Sequence, residues 1–164
     1  MRDKRFVAIH RGGSLTKDNH RQLMHWARKC SEHVLPLLEL PIDDRLLYAL
    51  QIAKEWEEGQ VNVGKAMKAS LGAHAVAREL SNPASIAIAR AIGQTVATAH
   101  MADHSLGGAL YGLKAVQQAG NSIEKERQWQ TSQLQKLPSE IVELVQATLI
   151  QKAAALKGFG DFFT

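Results

Sequence analysis

NPASIAIARAIGQTVATAHMADH, residues 82–104, is the stretch that decides the fold class. Asn82 has the side chain of an N-cap, and Pro83 at the first helical position gives up an N–H that would find no helical partner anyway. Past that start the run is apolar almost all round, which is the pattern of a helix enclosed by other helices. Alanine is the best helix former and leaves little bulk between axes, so close helix packing follows. The whole chain agrees: 45% of its 164 residues are hydrophobic and only 5% aromatic, so the core must be built from Ala, Leu, Ile and Val.

Upstream, one helix runs from an N-cap at Thr16 towards Leu38, with Leu23, Ala27, Cys30, Val34 and Leu37 as its apolar stripe and Pro36 ending or kinking it. A second starts at Asp43 or Asp44 and carries Leu46, Leu50, Ala53 and Trp56 before Gly59. A third follows Asn62 and reaches about Leu80. Downstream of the quoted run, Gly107-Gly108 allows a break, after which a fifth segment carries Leu110, Leu113 and Val116 to Gly120. Asn121-Ser122-Ile123-Glu124 has capping-box spacing and opens a sixth, more polar helix that ends before Pro138. A seventh spans Ser139 to about Lys157, with Ile141, Leu144, Val145, Thr148 and Leu149 inward. No period-two alternation persists beyond a few residues. The prediction is an all-α fold: a single bundle of six to seven helices with a buried central Ala/Gly-rich helix. Residues 1–15 read as a loosely packed arm, 16–158 as the bundle, and 159–164 as an aromatic tail holding three of the four phenylalanines, set to dock or to meet a partner.

Composition narrows the function classes. Lys and Arg outnumber Asp and Glu by 20 to 16, a net charge of +4 spread along the chain with no basic block beside aromatics, so nucleic acid is not the expected partner. The one cysteine, Cys30, lies on an apolar stripe and reads as a buried, inert thiol. Arg90, His100 and His104 interrupt the most apolar stretch, and the start of the chain has no signal-type apolar core, so the expectation is a cytoplasmic protein with no membrane partner.

The informative pattern is polar. Met67, Leu71, His74 and Arg78 share one helical face. Ile86, Arg90, Gly93, Ala97, His100, His104, Gly107 and Tyr111 keep the same stepping if the quoted helix continues. Imidazole and guanidinium groups on such faces need partners or a wet pocket, because a lone buried charge costs several kcal/mol. Glu32, Glu79 and Asp103 are the candidate carboxylates, and His33 can join from the first helix. Three readings stay open. The stripe is a structural network, a metal site in which His100 and His104, four apart, join His33 or His74, or a metal-free polar pocket or partner surface. H-E-x-x-H, G-x-S-x-G and P-loop patterns do not occur. Trp26 and Trp56 fall at inward spacing, and Trp129 in its polar helix reads as a packing lid or an exposed anchor.

The order A-H-A-x-A-R (residues 73–78), A-R-A-x-G-Q (89–94) and A-T-A-H-x-x-x-H (97–104), with Tyr111 behind and Trp26-Ala27 and Cys30 to Pro36 ahead, resembles the bacterial putative immunity protein family of small helical proteins. The likeness runs from about Leu23 to Val116. It implies an all-α protein that neutralises a bacterial toxin, and its matching residues here are Glu32, His33, His74, Arg78, Arg90, His100, His104 and Tyr111. The leading expectation is a non-enzymatic protein that binds the toxin, with no cofactor. The alternative is a helical-bundle metal-dependent hydrolase or transferase with His33, His100 and His104 as ligands to a divalent metal, similar in its H-x-x-x-H pair to the tri-histidine bundles of the DinB-like group. A homodimer packed through small-residue faces is a further possibility.

Overall fold

The computed structural model describes residues 2–163; Met1 and Thr164, the extreme ends of the predicted arm and tail, lie outside them. Seven α-helices are found among the described residues: α1 Lys17–Val34, α2 Asp44–Glu57, α3 Val63–Glu79, α4 Pro83–Ala97, α5 His104–Gln118, α6 Ile123–Leu134 and α7 Ser139–Ala155. No strand occurs among them, only an isolated bridge between Ala8 and Leu15. The fold is the predicted all-α bundle.

Local chemistry sets most boundaries. The side chains of Thr16, Asp43, Asn62 and Asn82 each accept a hydrogen bond from a first-turn backbone N–H of the helix that follows. Pro36 sits in a 3-10 turn, Leu35–Leu37, that closes α1. At the start of α6 the cap is Ser122, which accepts from Lys125 N–H. The capping-box spacing would have put Asn121 and Glu124 in those roles, so the helix begins one residue later than that pairing requires.

The largest departure from expectation concerns α4 and α5. The helix does not run on through His100 towards Gly107; it ends at Ala97, and a turn over 98–103 carries the chain back into α5. One tertiary and one local hydrogen bond hold this turn open. His20 Nε2–H donates to the Thr98 carbonyl, and Thr98 Oγ1–H competes for the Gln94 carbonyl at 3.3 Å. Gly107 and Gly108 lie inside α5, where they serve close approach rather than a break. A Cβ on Gly107 would stand 2.7 Å from Gln94 Oε1, and one on Gly108 would stand 2.7 Å from Thr95 Oγ1.

Every residue of α4 is buried except Pro83, Ile86, Arg90 and Gln94. Those four lie on one face at spacings of three and four. Arg90 and Gln94 therefore occupy the single stripe that the bundle leaves partly open, while the hydroxyls of Ser85 and Thr95 are buried.

The leading segment is packed rather than loose. Phe6 and Leu15 are buried beside Leu23, Trp26, Leu106 and Ile141. Ile9 N–H donates to the Leu15 carbonyl at 3.2 Å, and Leu15 N–H donates to Val7 at 3.0 Å. Between them Gly13 leaves no room for a side chain, since its Cβ would stand 2.0 Å from the Val7 carbonyl oxygen. Backbone cannot swing aside as a side-chain tip can. Gly13→Ala is therefore expected to undock this segment at a cost of about 1–3 kcal/mol. Trypsin should then cut at Lys4, Arg5 or Arg11 several times faster, while the helical signal stays constant; unchanged cleavage would refute the assignment.

The tail docks. Phe159 and Phe162 are buried against Leu110, Leu113 and Ala153. Tyr111 meets Phe159 edge-on at 5.0 Å, and Lys114 Nζ lies 5.5 Å from the centre of the same ring. Arg127 donates to the Phe162 carbonyl.

Candidate functional site

α3, α4 and α5 bring four polar side chains together along the open stripe of α4. Arg90 donates from Nη1 to His74 Nδ1 at 2.8 Å, which fixes the His74 tautomer with its proton on Nε2. One turn on, His104 Nδ1–H donates to Gln94 Oε1 at 2.8 Å. The His74 ring lies directly over Gly93, whose missing Cβ would fall 2.6 Å from Nε2. Burial pushes the His74 imidazole below its ordinary range, and the Arg90 and Arg78 charges and His104 push it further. Burial likewise lowers His104; Asp103 opposes that shift, while Lys152, Arg2 and His100 reinforce it. His20, held against the Thr98 carbonyl and edge-on to Trp56 at 4.7 Å, is lowered chiefly by burial, with Arg11 and His10 adding to it.

These shifts carry a sign. A histidine whose folded pKa lies below its unfolded value of about 6.5 binds fewer protons when folded. The stability that depends on its neutrality is complete above that value and drains away as pH falls from there towards the folded pKa. The melting temperature is expected to drop between about pH 7.5 and pH 5.5. In His74→Asn/His104→Asn the amide keeps an acceptor for Arg90 and a donor for Gln94 but cannot titrate, so the slope should flatten. An equally steep slope in that variant would show that other groups carry it.

The remaining predicted residues go elsewhere. Arg78 is exposed, and His100 is exposed in the α4–α5 turn because the helix that would have aligned it stops short. Tyr111 belongs to the tail contact with Phe159. None of the three candidate carboxylates meets the stripe. Glu32 pairs with Arg28 at 2.7 Å, Glu79 pairs with Arg45, and Asp103 Oδ2 pairs with Arg2 at 3.3 Å. The other oxygen of Asp103, Oδ1, is buried without a hydrogen-bond partner among the described residues. His33 lies at the far end of α1, where Nδ1–H donates to both oxygens of Glu126, at 2.9 Å to Oε2, and the Trp129 ring stacks on it at 3.5 Å and 4°. Trp129 is thus a lid over His33, and Trp26 is a core residue whose Nε1–H donates to the Gln130 carbonyl at 3.1 Å. Among the described residues no group of three or more His, Cys, Asp or Glu side chains is arranged to hold a metal ion. His33, His100 and His104 are not brought together.

Two constellations escaped the sequence reading. Arg28 is buried on α1 and donates to Glu57 of α2 through Nε and, at 3.2 Å, through Nη2; His25 Nδ1 meets the same carboxylate at 2.9 Å. Its spacing from buried Met24 and Ser31 was the available signal, since 24, 28 and 31 share a face. Glu126 of α6 likewise shares a face with buried Gln130 and Leu134, but its partner lies 93 residues away in α1, where spacing does not point.

One comparison with known proteins returns a match. The model of a family described as "Imm-5 like putative immunity protein" matches residues 13–137, from the start of α1 through α6, and the stretch of likeness read from Leu23 to Val116 lies inside it. No curated protein and no solved structure matches the chain.

Proposed function

Because the chain belongs to the Imm-5 like putative immunity protein family, we propose that it binds and neutralises a bacterial toxin without catalysis, by covering the toxin's working surface. The family match over α1 to α6 is the observation that carries this reading. It acts, on this view, in the cytoplasm of the cell it protects and without a cofactor. The His33–Trp129 pair supports it as a contact surface. Trp129 is partly exposed, His33 keeps 40% of its side-chain exposure, and Glu126 behind them is 8% exposed, so the pair is accessible yet held in one geometry. Rigid aromatic groups of this kind make strong anchors, because little rotamer freedom is lost on binding.

The test is protection and capture. Cells producing the toxin encoded beside this gene are expected to grow only when the chain is co-produced, and the pure proteins should form a complex. His33→Ala/Trp129→Ala should weaken that complex about 30-fold, the equivalent of roughly 2 kcal/mol. Toxin released from the complex should have unchanged mass. Absence of any such toxin, together with failure to capture a protein partner, would remove the reading. Elemental analysis of protein purified without chelator addresses the metal-enzyme alternative: no stoichiometric metal is expected. Metal that disappears in His100→Ala/His104→Ala would favour the hydrolase instead.

A further inference from the structure

The N-terminal segment, the starts of α1 and α3, the end of α2 and the α4–α5 turn enclose a cavity of about 680 Å³. Its inner surface is apolar, with Phe6, Leu15 and the indole of Trp56 among the lining side chains. Its charged lining is of one sign. Arg2, Arg11, Lys17 and Arg21 line it, with no Asp or Glu. These four cations are dispersed along the sequence, at positions 2, 11, 17 and 21, and folding collects them at one site.

Three arginines outside the cavity are neutralised where they stand. Arg5 pairs with Asp3, Arg28 with Glu32 and Glu57, and Arg45 with Asp43 and Glu79. Within the cavity only Arg2 has a carboxylate, that of Asp103. Arg11, Lys17 and Arg21 form no ion pair among the described residues. Gly59, at φ +75°, leaves the space that the Arg21 guanidinium occupies, since a Cβ there would stand 3.0 Å from Nη2. Uncompensated cations around a concave, weakly polarisable wall focus a positive potential into it. A volume of this size belongs to small-molecule sites of about 300–1,000 Å³ rather than to flat protein interfaces.

We propose that this cavity binds a small amphipathic organic anion, with an aromatic or short acyl body against Trp56, Phe6 and Leu15 and a carboxylate, sulfonate or phosphate group among Arg11, Lys17 and Arg21. The site is independent of the toxin-binding reading and needs no protein partner.

Anilinonaphthalene sulfonate, which pairs a fused aromatic body with one anionic group, is a suitable probe for the full chain. It is expected to bind with one-to-one stoichiometry and to bind at least about tenfold more tightly than neutral N-phenylnaphthylamine, a preference that weakens as salt is raised from about 20 to about 300 mM. Arg11→Gln/Arg21→Gln should weaken sulfonate binding by about tenfold or more with unchanged circular dichroism and little effect on the neutral amine. Lys65→Gln/Lys68→Gln, which removes the same charge from exposed positions of α3 outside the cavity, should leave the affinity within about twofold. Equal affinity for the neutral amine, no binding of either probe, or equal losses in the two double variants would overturn the proposal.

Discussion

Arg28→Met is expected to lower the stability of the folded chain by about 3 kcal/mol, the low end of what breaking a buried ion pair costs. The side chain of Arg28 is 9% exposed and that of Glu57 is 11% exposed, so neither charge can turn to water without disturbing the α1–α2 contact. Methionine matches the aliphatic length of arginine and fills its space, but it leaves the Glu57 carboxylate buried with only His25, 2.9 Å away, to meet it. That remaining partner is why the estimate sits at the low end. For a chain of this size about 3 kcal/mol corresponds to a melting temperature lowered by roughly 6–12 °C. The reciprocal design separates lost charge pairing from lost packing. Arg28→Met/Glu57→Leu removes both charges and should recover most of the loss, because an apolar pair of similar volume suits a buried site as well as an ion pair does. Urea and thermal denaturation of the parent, Arg28→Met, Glu57→Leu and the double variant give the coupling energy directly. A single variant within about 0.5 kcal/mol of the parent would mean that Glu57 finds water where the packing leaves none.

The same pair shows where sequence reading stops. Helix starts were legible because Thr16, Asp43, Asn62 and Asn82 carry their chemistry locally: each side chain bonds an N–H two or three residues on. The facing of His74 and Arg90 was legible for a similar reason, since helical stepping alone fixes which face each lies on. The helix end at Ala97 was not legible. Residues 97–104 have the composition of a helix, and what stops them is His20 taking the Thr98 carbonyl from 78 residues away. The partners of the polar groups were hidden in the same way. Glu57 reaches Arg28 and Glu126 reaches His33 across 29 and 93 residues, separations on which periodicity says nothing. Gln94 stood in the motif beside Arg90, but a glutamine on a half-open stripe has no feature that marks it as the partner of His104. The concentration of charge around the cavity is invisible for the opposite reason: no local block of basic residues exists to be seen.

Gly108 carries the second large effect, and its sign can be set against a neighbouring case. Replacing a helical glycine by alanine stabilises a helix by roughly 0.5–1 kcal/mol where the new methyl group meets nothing. Gly72 on α3 is such a position, because the closest atom to its missing Cβ, Cβ of Arg45, is 4.0 Å away. Gly72→Ala should therefore raise the melting temperature by about 1–4 °C. At Gly108 the same methyl group would lie 2.7 Å from Thr95 Oγ1 and 3.2 Å from Ala27 Cβ, where α1, α4 and α5 meet. Thr95 cannot yield cheaply. Its hydroxyl donates to the Ala27 carbonyl at 3.2 Å and shares a hydrogen bond of 2.6 Å with Ser31 Oγ, and both side chains are fully buried. Turning Thr95 away would leave Ser31 buried without its partner, at roughly 1–3 kcal/mol. Moving α5 outward instead would open the packing along its length. Gly108→Ala is accordingly expected to cost about 2 kcal/mol despite its better helix propensity, and Gly108→Val about 3–4 kcal/mol. Opposite signs at positions 72 and 108 would establish close approach as the reason glycine stands in α5. If both alanine variants moved the melting temperature in the same direction, that explanation of the three-helix contact would fail.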